Sequence, residues 1–203
     1  MGGTQVKKVV RSRNVSFRDL YVAKVTANDE NNYTTDTPVK IARAITGKIN
    51  EEFEVEKIYS DDAVEGTNRS YKGTSVELEV NSLAPQDKAL LFGNLYENGF
   101  LVKSKDDEAP ELALGWRAKK MNGKYDFNWL YTGTFGQGFE DNYETEGEKK
   151  TTQTATLKGD FYARQMDGKY QINVDEGNLA TEETDAAEAI KNWFSKVQDK
   201  DAK

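Results

Sequence analysis

Cysteine and histidine are both missing from this 203-residue chain. Without cysteine there can be no disulfide, no thiolate metal site and no thiol catalysis, and the composition suits a protein made and folded in a cytoplasm. Without histidine the Ser-His-Asp arrangement is excluded, along with the commonest general base near neutral pH and the commonest metal ligand. An enzyme would be left with carboxylate chemistry of the glycosidase kind. The many Asp and Glu residues, however, fall on strand-like sequence where they read as solvated faces. Asp29-Glu30-Asn31-Asn32-Tyr33 begins like a calcium loop but lacks the third oxygen ligand and the glycine at the sharp turn. Gly133, Gly136 and Gly138 are not in dinucleotide-binding order, and a bulge explains them better. No catalytic residue, metal ligand or cofactor site is therefore expected. No apolar run is long enough to span a membrane. The N-terminus has cations but no apolar core of a secretory signal, and Val6 stands where myristoylation would need Ser or Thr. Asn14, Asn32 and Asn68 head glycosylation triplets that, without secretion, are chance matches. Apolar residues make up only 36 % and the net charge is −7, a composition that fits a domain with extensions ordered by a partner.

What the chain does contain is alternation. Between residues 110 and 162, Leu112, Leu114 and Trp116 alternate with Ala113, Gly115 and Arg117, and Tyr125, Phe127, Trp129 and Tyr131 recur at every second position. Period two is the mark of a pleated strand with one face in a core. Asn122-Gly123 between the two runs predicts a hairpin turn with positive φ at both residues. Elsewhere, residues 1–16 form a basic, irregular arm whose inter-subunit cations would be Lys7, Lys8, Arg11 and Arg13, joined by Arg18 just beyond it. Phe17 to Thr26 reads as a strand, Ala27 to Thr37 as a polar loop, and Val39 to Tyr59 as extended chain bent at Gly47. A long polar loop is expected over Asp61 to Gly73 and a strand over Thr74 to Val80. Ser82 would cap a short helix with Pro85 in its first turn and Gly93 past its end. Asn98-Gly99 and Asp167-Gly168 mark further turns, with strands up to Arg164 and around Tyr170 to Val174. From Thr184, Ala187, Ile190, Trp193, Phe194 and Val197 recur at helical spacing, an apolar stripe for core or subunit contact.

Many short strands with two flanking helices predict a mainly β fold, an antiparallel β-sandwich or partly closed barrel with a short helix and a C-terminal helix. The domain would run over 17–198, followed by a charged tail at 199–203. Two of its strands present rows of glutamate. Glu52, Glu54 and Glu56 lie on one face of theirs and Glu77 and Glu79 on one face of the other, with Phe53, Val55, Val76 and Leu78 turned to the core. Such rows suit a solvent face, or the wall of a channel that DNA must traverse without being held. Neutralised phosphates release counterions and bind, whereas an acidic wall repels them.

The segments LYVAKVT, DTPVKIA, IYSDDAV and YKGTSVELEV, then the hairpin ALGWRAKKMNGKY, then WLYTGTF, YETEGEKK, TATLKGDFYAR and NWFSKV, in this order along the chain, resemble the major tail proteins of siphophages, which build the tail tube. The resemblance extends from about Phe17 to Val197. It implies a β-sandwich with a terminal arm, whose subunits close into homohexameric rings stacked as a conduit for the genome. Tape measure and tail terminator proteins would be partners, DNA would pass without specific binding, and no membrane or cofactor would be involved. It also implies a place in the virion after assembly in the host cytoplasm. In that setting Glu52, Glu54, Glu56, Glu77 and Glu79 would face the lumen. The arm cations would meet acidic surfaces of a neighbour at Asp106 to Glu108 and Glu140 to Glu148. Two other readings stay open. One is the inner tube of a contractile injection system. The other is a carbohydrate-binding β-sandwich using Trp116, Trp129 or Tyr131 as stacking platforms.

Overall fold

A computed structural model describes residues 9–60, 63–141 and 154–200. Among these residues, twelve strands run in the order β1 (Asn14–Asn28), β2 (Tyr33–Thr35), β3 (Val39–Lys40), β4 (Ala44–Ser60), β5 (Ala63–Val80), β6 (Leu95–Glu97), β7 (Phe100–Val102), β8 (Leu112–Lys120), β9 (Tyr125–Thr134), β10 (Phe139–Asp141), β11 (Ala155–Tyr162) and β12 (Gln171–Asp175). Helix α1 (Pro85–Phe92) follows β5, and α2 (Thr184–Ala189) lies near the C-terminus. All pairings are antiparallel, and the main sheet has the path β2-β1-β8-β9-β11-β5-β4. The fold is thus mainly β, as expected.

The sheet rolls over a first core. Leu20 and Val22 of β1 share one buried cluster with Val76, Leu78 and Val80 of β5, although three strands separate β1 from β5 in the sheet. Across the roll, the Phe17 ring lies where a Cβ on Gly47 would sit, only 2.7 Å away. That close approach, rather than a bend, accounts for the glycine in β4. No ladder joins β1 to β4 among the described residues, so the barrel stays open along a groove of about 720 Å³ bordered by Val15, Phe17, Ile45 and Ile49.

Strands β8 and β9 are buried on both faces, which single-face alternation does not anticipate. Leu112, Leu114, Trp116 and Leu130 face the first core, while Ala113, Phe127 and Trp129 face a second. The chain end covers that second face. Trp193 packs on Phe127 with ring centres 5.6 Å apart, Phe194 stacks on Tyr21 at 4.3 Å, and the Trp129 indole donates to the Trp193 carbonyl at 3.1 Å. The closing helix is therefore shorter than its apolar stripe predicts. It gives way to a 3-10 turn at Ile190–Asn192, just ahead of the two aromatics that pack on the sheet. Gln198 then donates to the carbonyls of Asn192, Trp193 and Lys196.

Four further expectations are corrected. Residues 63–73, expected as part of a polar loop, are strand, paired with 52–60 in a long hairpin. Their polarity reflects exposure on both faces rather than loop structure; Asp61 and Asp62 lie outside the described residues. Beyond the core, Val55 is 57 % exposed, and Phe53 is half-buried under Arg69 instead of filling the interior. Helix α1 is capped at Ala84, whose N–H donates to Asp87, and not at Ser82; it does end before Gly93 at φ 71°. Finally, Asn122-Gly123 is not a two-residue turn with both φ positive. Only Gly123 (φ 81°) is left-handed, within a four-residue connection closed by Lys120 and Lys124. Asn98-Gly99, by contrast, has φ 51° and 85° and joins β6 to β7 as its composition predicts.

Candidate assembly surfaces

The acidic face is built by register. Lys48, Asn50 and Glu52 pair with Glu77, Ser75 and Gly73, and Glu54 and Glu56 pair with Ser70 and Asn68. Paired residues point to the same side, so β4 keeps Lys48, Asn50, Glu52, Glu54 and Glu56 on the side of Glu77 and Glu79. The register shift after Glu52 places the extra residue, Lys72, in β5, which leaves the alternation of β4 intact. Glu52, Glu54, Glu56, Glu77 and Glu79 are therefore brought to one face, opposite the first core. Strand β11 extends it, setting Lys158 opposite Glu77 and Thr156 opposite Glu79.

The face is only partly neutralised. Lys72 pairs with Glu54, Lys158 approaches Glu140 at 3.9 Å, and Glu79 accepts from Thr46 (3.2 Å) and Thr154 (2.9 Å). Glu52, Glu56 and Glu77 have no ion pair among the described residues and are exposed. Glu54 and Lys72 are both about half exposed (47 % and 56 %), so their pair contributes little to stability.

The arm cations separate. Lys7 and Lys8 lie outside the described residues. Residues 9–13 do not hang free: Val10 exchanges two hydrogen bonds with Asn178, Arg13 O accepts from Met121 N at 2.9 Å, and Ser12 Oγ accepts from Asn122 N at 3.1 Å. Arg18 belongs to β1, where its Nε donates to Ser16 Oγ at 3.0 Å. Arg11 and Arg13 make no ion pair among the described residues. Of the acidic surfaces proposed for them, Asp107 is occupied internally, accepting from Asn94 and from the Ser104 N–H. Asp141 pairs with Lys88 at 2.7 Å, and residues 142–148 lie outside the described residues.

Two ionic clusters are structural. Asp19, at φ 54° where β1 bulges against β8, accepts from Lys40 and from Arg117 Nε. Burial alone would raise its pKa, but the hydrogen bonds from the two cations prevail and hold it below the ordinary carboxylate value. Arg164 is fully buried, forks onto Asp167 at 2.7 and 2.6 Å, pairs with Asp199 at 2.6 Å and lies 4.3 Å from the Tyr131 ring centre. The Arg164 hydrogen bonds hold Asp167 well below the carboxylate range. Asp199, read from sequence as tail, is tied into the body through this pair. No spacing in the sequence announces that contact, because its partners are 35 positions apart.

Among the described residues, no group of three or more Asp or Glu could hold a metal, and no helix is long and apolar enough to cross a membrane. Trp116, Trp129 and Tyr131 are all buried, so none offers an exposed ring for a sugar to stack on. No protein-family model matches the chain, and no curated protein matches it.

Proposed function

We propose that this chain is the major tail protein of a siphophage, a structural subunit that closes into hexameric rings and stacks them into a genome conduit. The observation that carries the reading is the single exposed face on which Glu52, Glu54, Glu56, Glu77 and Glu79 converge, on strands that extend beyond the core. A face so charged disfavours contact with a polyanion, as the wall of a DNA channel should. Six copies would carry 6 × (−7) = −42 formal charges per ring. Among the described residues no strand pairs with the outer edge of β4, which offers its backbone groups for lateral contact with a neighbour. Catalysis has no part in this function, and the virion is its location.

Negative-stain electron microscopy of the purified chain, alone and with its tail initiator, tests the reading. Stacked sixfold rings are the expected result; a chain that stays monomeric beside its initiator refutes it. The lumen assignment is tested by Glu54→Lys with Glu77→Lys. Both side chains are exposed, so folding and tube formation should be spared. Genome ejection should slow at low salt, because phosphates would bind the new cations. Unchanged ejection would place this face elsewhere.

A further inference from the structure

Two hairpins expose apolar rows at opposite ends of the molecule. Strand β4 leaves Ala44, opposite Val80, and runs to the far end of the long hairpin. Helix α1 lies at the Val80 end: Lys88 binds Asp141 and Phe92 stacks on Phe139, and Asp141, Ala155 and Val80 stand in one cross-strand row. The small β6–β7 hairpin adjoins α1 through Gln86, which donates to the Tyr96 hydroxyl at 2.9 Å.

The pairings Leu95↔Val102 and Glu97↔Phe100 put those four side chains on one face. That face is open: Phe100 is 71 % exposed, and Leu95 and Val102 are each more than half exposed. A two-stranded hairpin is marginal by itself, and a row of large apolar groups turned to water adds to the cost. On the long hairpin, Val55 pairs with Arg69 and Lys57 with Thr67, and alternation adds Tyr59, 64 % exposed, to the same face. Glu54 and Glu56 point the other way. One row is thus apolar and basic, the other apolar and acidic through Glu97. Neither Lys57 nor Glu97 has an ion partner among the described residues.

We infer that the Val55–Lys57–Tyr59 face of one copy docks on the Leu95–Glu97–Phe100–Val102 face of a second copy, head to tail. The proposal rests on the tube reading and identifies the contact between successive subunits along its axis. The opposite charges select this partner over a like face, and the location at opposite ends makes the contact heterologous, so it propagates instead of closing as a dimer. Each row offers on the order of a few hundred Å², short of the roughly 800 Å² per partner of a stable interface. A single contact is therefore weak, and it persists only where many repeat in parallel.

The absence of native cysteine allows a direct test. A chain carrying both Val55→Cys and Phe100→Cys, concentrated and oxidised with diamide, should give a ladder of linear multimers on a denaturing gel. The single variants should each stay monomeric and should cross-link only when mixed. Glu97→Lys in the double-cysteine chain should suppress the ladder, and adding Lys57→Glu should restore it. Tubes that form without the 55–100 cross-link overturn this contact and leave the tube reading standing. A ladder without tubes keeps the contact and refutes the tube. Monomers throughout, or homodimers of either single variant, overturn the contact.

Discussion

Removing Trp193 should destabilise the whole domain, although the residue stands in a C-terminal segment with little regular structure. Its side chain is 2 % exposed and covers the back of β8 and β9, with Phe127, Trp129 and Ala113 beneath it. Trp193→Ala empties a volume enclosed by strand residues on one side and Phe194 and Val197 on the other. A buried Trp-to-Ala change costs about 3–5 kcal/mol, from lost transfer energy and the residual cavity. For a chain of this length that is a fall in Tm on the order of 10 °C. The hydrogen bond from Trp129 survives, because its acceptor is the backbone carbonyl of residue 193. Trp193→Phe should therefore cost only a fraction as much, losing part of the ring and the weak 3.4 Å donation to Asn128 O. Urea unfolding followed by circular dichroism measures both without relying on tryptophan emission. The alanine variant should have a lower midpoint with nearly the same slope, since the folded state still buries most of its surface. A loss below about 1 kcal/mol would mean that the chain end does not seal the second face, and the two-core account would fail.

Two glycines should differ sharply. A Cβ on Gly93 would lie 2.1 Å from the Glu108 carbonyl oxygen at φ 71°, so Gly93→Ala should cost roughly 2–4 kcal/mol, combining left-handed strain with a backbone clash. Gly99 has φ 85° but open space around it, and Gly99→Ala should cost about 1 kcal/mol from backbone conformation alone; equal thermal shifts would contradict this. Stability should also fall in acid. Asp19, Asp167 and Asp175 all have lowered folded pKa values, so their contribution is complete above the unfolded value of about 4 and is lost as pH drops through the folded values. Asp19→Asn, which tolerates the same positive φ, should flatten this dependence below about pH 4 while lowering stability at pH 7; an unchanged acid limb would remove Asp19 from the account.

Alternation and turn chemistry were enough to read β1, the β8–β9 pair, the Asn98-Gly99 turn and the span of α1 to Phe92. Each depends on neighbours a few residues apart, where side-chain period and backbone preference act directly. The grouping of Glu52, Glu54 and Glu56 was legible for the same reason. Their union with Glu77 and Glu79 required the register of β4 on β5, including a bulge at Lys72 that no local signal reveals. Strand structure over 63–73 was hidden because neither face is buried there, and without burial nothing selects an apolar period. The second core was hidden as well. Alternation marks β8 and β9 as strands but does not tell that both of their faces are covered, and the cover comes from residues more than sixty positions away. The sequence by itself determined the class of fold, the local elements and the sign of the exposed glutamate rows. The tertiary structure decided which faces are covered, where Arg164 finds Asp199, and that the exposed apolar rows of Val55 and Phe100 lie at opposite ends. Those are contacts between segments distant in the chain, and they follow from closing the sheet around its core, which no local preference encodes.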